Sequence, residues 1–183
     1  MPSPLRVRYS RIRKLATQLV AEHAIIAPPV DVERVASSRG ASIRYDDLGE
    51  GVSGILVRGH PGKAVIGVQR SHSLQRQRFT IAHELGHFLL HDGDEVHVDH
   101  VFRVNYRSDR PQDGVQIEET EANVFASELL MPVAFLDQEG DFIFDAEGGP
   151  RLAALSTKYQ VSREAMSWRL LNLYRFHTQA HNA

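Results

Sequence analysis

Apolar residues recur at helical spacing in some stretches of the chain and at alternate positions in others. Ile12, Leu15, Leu19 and Val20 mark one face of a helix from Ser10 to His23, which "APPV" then stops. "VDVERVASSRG" predicts a short second helix, with Asp31 as its cap and Gly40 as its terminator. Three strands follow, "ASIRYDDL", "VSGILVRG" and "KAVIGVQ", separated by the turn-forming "GEG" and "GHPG". An antiparallel meander is their simplest arrangement. Gln75 to His91 and Glu118 to Leu130 read as strong helices, the second ended by Met131-Pro132, with a polar, His- and Asp-rich stretch from Asp92 to Gly114 between them. Asp137 to Pro150 is loop-like, although Phe142 and Phe144 alternate as in a short strand. "RLAALSTKYQVSREAMSWRLLNLYRF" closes the chain as two short helices around "QVS", where Ser162 caps the second.

The class is therefore α+β: a small antiparallel or mixed three-stranded sheet flanked by helices, with a helix-turn-helix-like pair at the C-terminus. We divide it into residues 1–150 and a helical segment, 151–183, packed on the first part or docking a partner. At 183 residues the chain has enough length to bury a real core.

Composition narrows the chemistry. A formal net charge of -2 gives no footprint for nucleic acid or anionic membrane. With no cysteine, disulfides and thiolate metal sites are excluded, so a metal must take His, Asp or Glu ligands. No apolar run approaches the roughly 20 residues of a membrane span. The Arg-rich N-terminus, "MPSPLRVRYSRIRKLATQLV", reads as a basic first helix rather than a targeting peptide, and a cytoplasmic location is expected.

The candidate chemistry lies in "RFTIAHELGHFLLHD". His83 and His87, four apart, share one helix face about 6 Å apart along the axis, so both imidazoles can reach one ion. Glu84 is rotated by about 100° from His83, beside such an ion, where it can relay a proton from attacking water to a leaving amine. Between Phe79 and Leu90 the ionisable residues are these alone, and burying them on an apolar helix is costly unless something pairs them. Gly86, inside the helix, points to another backbone in close approach. His91 continues the same face but lies about 12 Å along the axis from His83, which makes it a surface or supporting residue.

A third protein ligand has to come from "IEETEANVFASELLMP". Ile117, Ala122, Phe125, Ala126, Leu129 and Leu130 form its apolar stripe. Glu119 shares a side with Ala122 and Ala126, where small residues allow close packing, and is the expected ligand, with Glu121 in reserve. Glu118 and Glu121 fall nearer the solvated flanks. Asn123, one turn beyond Glu119, is placed to hold an imidazole by its second nitrogen.

"RQRFTIAHELGHFLLH" followed by "EETEANVFASELLMP" resembles the ImmA/IrrE family of bacterial and phage zinc metallopeptidases. "KAVIGVQ" and the final "VSREAMSWRL" also fit, so the resemblance extends over most of the chain. It implies a thermolysin-like site holding one zinc ion on His83, His87 and Glu119, with Glu84 as general base. It also implies a protein substrate, a helix-turn-helix repressor whose cleavage relieves repression in stress responses, mobile-element induction or toxin–antitoxin-like pairs. A substrate peptide is expected to lie extended along a sheet edge near "KAVIGVQ". Tyr106, Arg107, Tyr159 and Arg169 are candidates for stabilising the oxyanion, and sequence does not choose among them.

Two rival readings remain at this level. The last helices have the rhythm of a DNA-binding helix-turn-helix, carrying Arg163, Arg169 and Arg175. Met166, Trp168, Leu170, Leu171 and Leu173 on the same helix favour packing or partner docking, and direct DNA binding is not expected. A purely structural zinc site would have all four positions filled by protein and would leave Glu84 without a purpose.

Overall fold

The computed structural model describes residues 6–92, 95–100, 114–140 and 149–180. The chain opens with helix α1 (Tyr9–Glu22) and helix α2 (Val32–Ser38). Asp31 caps α2 by accepting from the Arg34 N–H at 3.0 Å. Gly40 ends that segment at φ +87, and a Cβ there would come 2.1 Å from the Gly62 carbonyl oxygen. Glycine is thus required both by the backbone angle and by the neighbouring loop.

Strands β1 (Ala41–Asp46), β2 (Val52–Arg58) and β3 (Ala64–Gln69) follow, then helix α3 (Leu74–Leu90), strand β4 (Val96–His100) and helix α4 (Gly114–Leu130). A single turn, α5 (Val133–Leu136), leads to α6 (Pro150–Tyr159) and α7 (Arg163–Ala180). Ser162 accepts from the Ala165 N–H at 3.0 Å and so caps α7, which runs for 18 residues rather than as a short helix.

The sheet is mixed and has four strands, in the order β1-β3-β2-β4. It is not the three-stranded meander expected from the sequence. β3 inserts between β1 and β2, parallel to the first and antiparallel to the second. The loop after β1, with Gly49 and Gly51 at positive φ, carries the chain to β2 across the position that β3 fills. β3 carries inward Ala64, Ile66 and Val68 and takes the central, fully paired position. It therefore offers no free edge to a substrate, which corrects the expectation for "KAVIGVQ". Among the described residues β1 and β4 are the edges. β4 lies inside the stretch read as a polar connection; the candidate strand around Phe142 and Phe144 falls outside the described residues.

α3 packs on β2 and β3, α2 on β1, and α4 on both α3 and α1. A single buried cluster runs from Ile12 and Leu19 through Leu56, Ile66, Leu85 and Phe125 to Tyr159, Met166 and Leu173. The C-terminal helices thus share the core of the rest. Among the described residues no helix is long and apolar enough to cross a membrane.

Candidate metal and catalytic site

α3 begins at Ser73, whose side chain accepts from the Arg76 N–H at 3.4 Å, and it ends under two guanidinium groups. Arg58 of β2 donates to the His87 carbonyl at 3.0 Å, and Arg8 donates to that of Leu90 at 3.1 Å. Both satisfy C-terminal carbonyls and complement the helix dipole. Midway, Gly86 lets α4 approach: a Cβ would stand 3.1 Å from the Ala122 Cα. This contact sets the α4 residues against the α3 histidines.

His83, Glu84 and His87 are almost wholly buried. The Nε2 atoms of His83 and His87 are 3.1 Å apart. Glu119 faces both, with Oε2 3.4 Å from His83 Nε2 and Oε1 3.2 Å from His87 Nε2. Burial alone would raise the Glu119 carboxyl, but the two imidazoles hold it well below the usual range, so it is ionised. Burial, together with the neighbouring His83, lowers His87 to about 3, and its ring is neutral.

Tautomers follow from the outer hydrogen bonds. His83 Nδ1–H donates to Asn123 Oδ1 at 3.1 Å. His91 Nε2–H donates to Glu121 Oε2 at 3.0 Å, which leaves its Nδ1 to accept from His87 Nδ1–H at 3.2 Å. In these tautomers the Nε2 atoms of His83 and His87 both face Glu119 and are the ones that could ligate a metal. Without a metal the two imidazoles pair with the Glu119 carboxylate at 3.4 and 3.2 Å, and with a cation among them the same three groups would serve as its ligands. The donor set suits a divalent metal that takes nitrogen and oxygen ligands.

Glu121 corrects the sequence reading twice. It is fully buried rather than solvated, and its carboxylate is occupied by Arg8 and His91 rather than available as a reserve ligand. Arg8 donates from its backbone N–H at 2.7 Å and from its guanidinium to both oxygens. His91, which the helix geometry made a surface or supporting residue, is buried and carries this charged pair to His87.

Glu84 is fully buried, and among the described residues neither carboxylate oxygen has a hydrogen-bond partner. Burial raises it to about 8, against the opposing pull of His83. Gly54 of β2 makes room for it, since a Cβ there would lie 2.8 Å from Glu84 Oε1. A buried, unpaired carboxyl beside a cation site is costly unless function demands it.

Residues 33–171 match the family described as the peptidase M78, IrrE N-terminal-like domain. The chain belongs to the ImmA/IrrE family. It is similar to the radiation response metalloprotease IrrE of Deinococcus deserti, with 32% identity over 62% of this chain and 43% of that protein. A solved Mycobacterium tuberculosis transcriptional regulator shares the fold at a TM-score of 0.58 and 19% identity, covering 88% of this chain and 46% of that one. The chain thus spans less than half the length of either relative.

Within this ImmA/IrrE domain the other residues singled out from sequence are placed elsewhere. Tyr159 is fully buried, with its hydroxyl donating to Glu139 at 3.2 Å. Arg169 is buried in a two-pronged pair with Glu128 at 2.8 and 2.6 Å and also donates to the Met131 carbonyl. Neither is a free donor for an oxyanion, and Arg169 is not on a DNA-facing surface. Tyr106 and Arg107 lie outside the described residues. Conversely, His97 and Asp99 of β4 reach the site, which the sequence reading missed. Their signal was the alternation Val96-His97-Val98-Asp99, overlooked because its polar positions face inward.

Proposed function

We propose that this domain is a zinc-dependent endopeptidase of the thermolysin-like, glutamate-ligated type. The observation that carries the reading is the convergence of His83, His87 and Glu119 beside a buried Glu84 that has no partner among the described residues. The three would hold one zinc ion, and bound zinc supplies Lewis acidity toward water and a scissile carbonyl. Glu84 takes the proton of the attacking water as its oxygen bonds to the carbonyl carbon, and returns it to the amine nitrogen as the C–N bond breaks. Asn123 and the Glu121–His91 pair keep the imidazoles in the ligand tautomer. An extended peptide pairs with β4, an edge strand among the described residues whose His97 reaches the site.

For the substrate we infer a helix-turn-helix repressor in the cytoplasm, whose cleavage relieves repression under stress or during mobile-element or toxin–antitoxin regulation. The C-terminal helices, packed through Leu155, Tyr159 and Met166, belong to the scaffold that presents the site. The test is to mix zinc-loaded protein with the helix-turn-helix repressor encoded beside it and follow intact masses. A single new cut made by the wild type and absent with Glu84→Gln is expected. A repressor that binds yet stays whole would overturn the peptidase reading in favour of docking without proteolysis.

A further inference from the structure

β4 is patterned against the ordinary rule for a strand. Val96 and Val98 lie on the solvent face, 52% and 37% exposed, while His97 and Asp99 turn toward α3. Placing valine outward and imidazole inward costs free energy unless the inward groups find a partner. Among the described residues, His97 Nε2 and Asp99 Oδ2 are enclosed without a hydrogen bond. The His97 ring packs on His87 with centroids 4.2 Å apart, and its Nε2 stands 3.5 Å from Glu119 Oε1. One donor atom from each of His83, His87, His97 and Glu119 lies within 4.8 Å of all the others.

Four donors arranged tetrahedrally about 2 Å from one ion stand about 3.3 Å from each other. Here the Nε2 atoms of His83 and His87 are 3.1 Å apart, His83 Nε2 is 3.4 Å from Glu119 Oε2, His87 and His97 Nε2 are 3.2 and 3.5 Å from Glu119 Oε1, and His97 stays within 4.8 Å of both other imidazoles. We propose that His97 is a fourth protein ligand in the resting enzyme, giving a shell of three imidazoles and one carboxylate. This rests on the reading that His83, His87 and Glu119 hold a divalent metal. The fourth ligand differs from the others in its support. His83, His87 and Glu119 stand on helices packed against each other, whereas among the described residues β4 is paired on one side, to β2, with a shift of register between Val52 and Gly54. Hydrolysis then requires His97 to leave, which ties access to the metal to the position of an edge strand along which an extended peptide would bind.

Zinc-edge X-ray absorption on the zinc-loaded wild type tests this without any variant: three imidazoles are expected, and two would overturn it. Competition with a chromophoric chelator supplies an independent reading. His97→Gln should bind zinc at least about tenfold more weakly than wild type, and an unchanged affinity counts against ligation. With cobalt in place of zinc, the visible absorption should be strong in wild type and weaker in the variant; identical spectra again count against it. Circular dichroism establishes that His97→Gln is folded. A wild type that takes up no metal defeats the metal reading itself, whereas metal bound by two imidazoles defeats the assignment of His97 alone.

Discussion

Glu84 depends on a residue with no side chain. A Cβ on Gly54 would come 2.5 Å from Thr80 Cγ2 and 2.8 Å from Glu84 Oε1, so alanine there must displace the carboxylate or the helix that carries it. Misplacing a reacting group by about 1 Å can cost on the order of a hundredfold in rate. Gly54→Ala should therefore lower kcat/KM on a cleaved repressor by about that factor while zinc stoichiometry stays at one per chain. Near-wild-type turnover would show that α3 yields without moving Glu84. His83, Glu84 and His87 were legible as residues because their relation is local: four positions along a helix bring two side chains onto one face. Glu121 was not, because its charge is met by Arg8, 113 positions away, and only packing brings them together.

At the scale of elements, α1 is locked to α4 by that same pair. Burial would raise the Glu121 carboxyl, but the Arg8 side chain and backbone, with His91, hold it at about 2, down from an ordinary 4.5. A carboxyl depressed in the folded state adds stability above its unfolded value and loses it as pH falls toward the folded one. In metal-free protein, the Tm difference between wild type and Glu121→Gln should thus be full above pH 4.5 and close as pH approaches about 2. A difference independent of pH would mean that Arg8 contributes through shape rather than charge. Helices α3 and α4 were readable from their periodicity, and so was the close approach at Gly86. β4 was not, since its inward positions are filled for the site rather than for a core. The place of β3 was also hidden, because strand order is a property of pairing across the sheet and leaves little trace in any one strand.

For the whole molecule, one buried apolar cluster extends from α1 to α7 without His83, His87 or Glu119, and the buried Glu128–Arg169 pair ties α4 to α7. The fold therefore does not depend on metal in the way a zinc finger does. Zinc at about a thousand times its Kd adds about 4 kcal/mol, which for this length raises Tm by roughly 10 °C. Chelation should remove that increment and leave the far-ultraviolet circular dichroism unchanged. Collapse of the helical signal on chelation would instead make the ion part of the core.

By itself the sequence determined the α+β class, the helix that carries His83, Glu84 and His87, and the helix that carries Glu119. These follow from periodicity and spacing, which act over one or two turns of chain. Tertiary structure decided which carboxylates are spent on Arg8 and Arg169, which strand lies at the edge, and that His97 arrives beside the other donors. Those outcomes depend on contacts between segments distant in the chain, where burial and the need to pair buried charge outweigh any local preference.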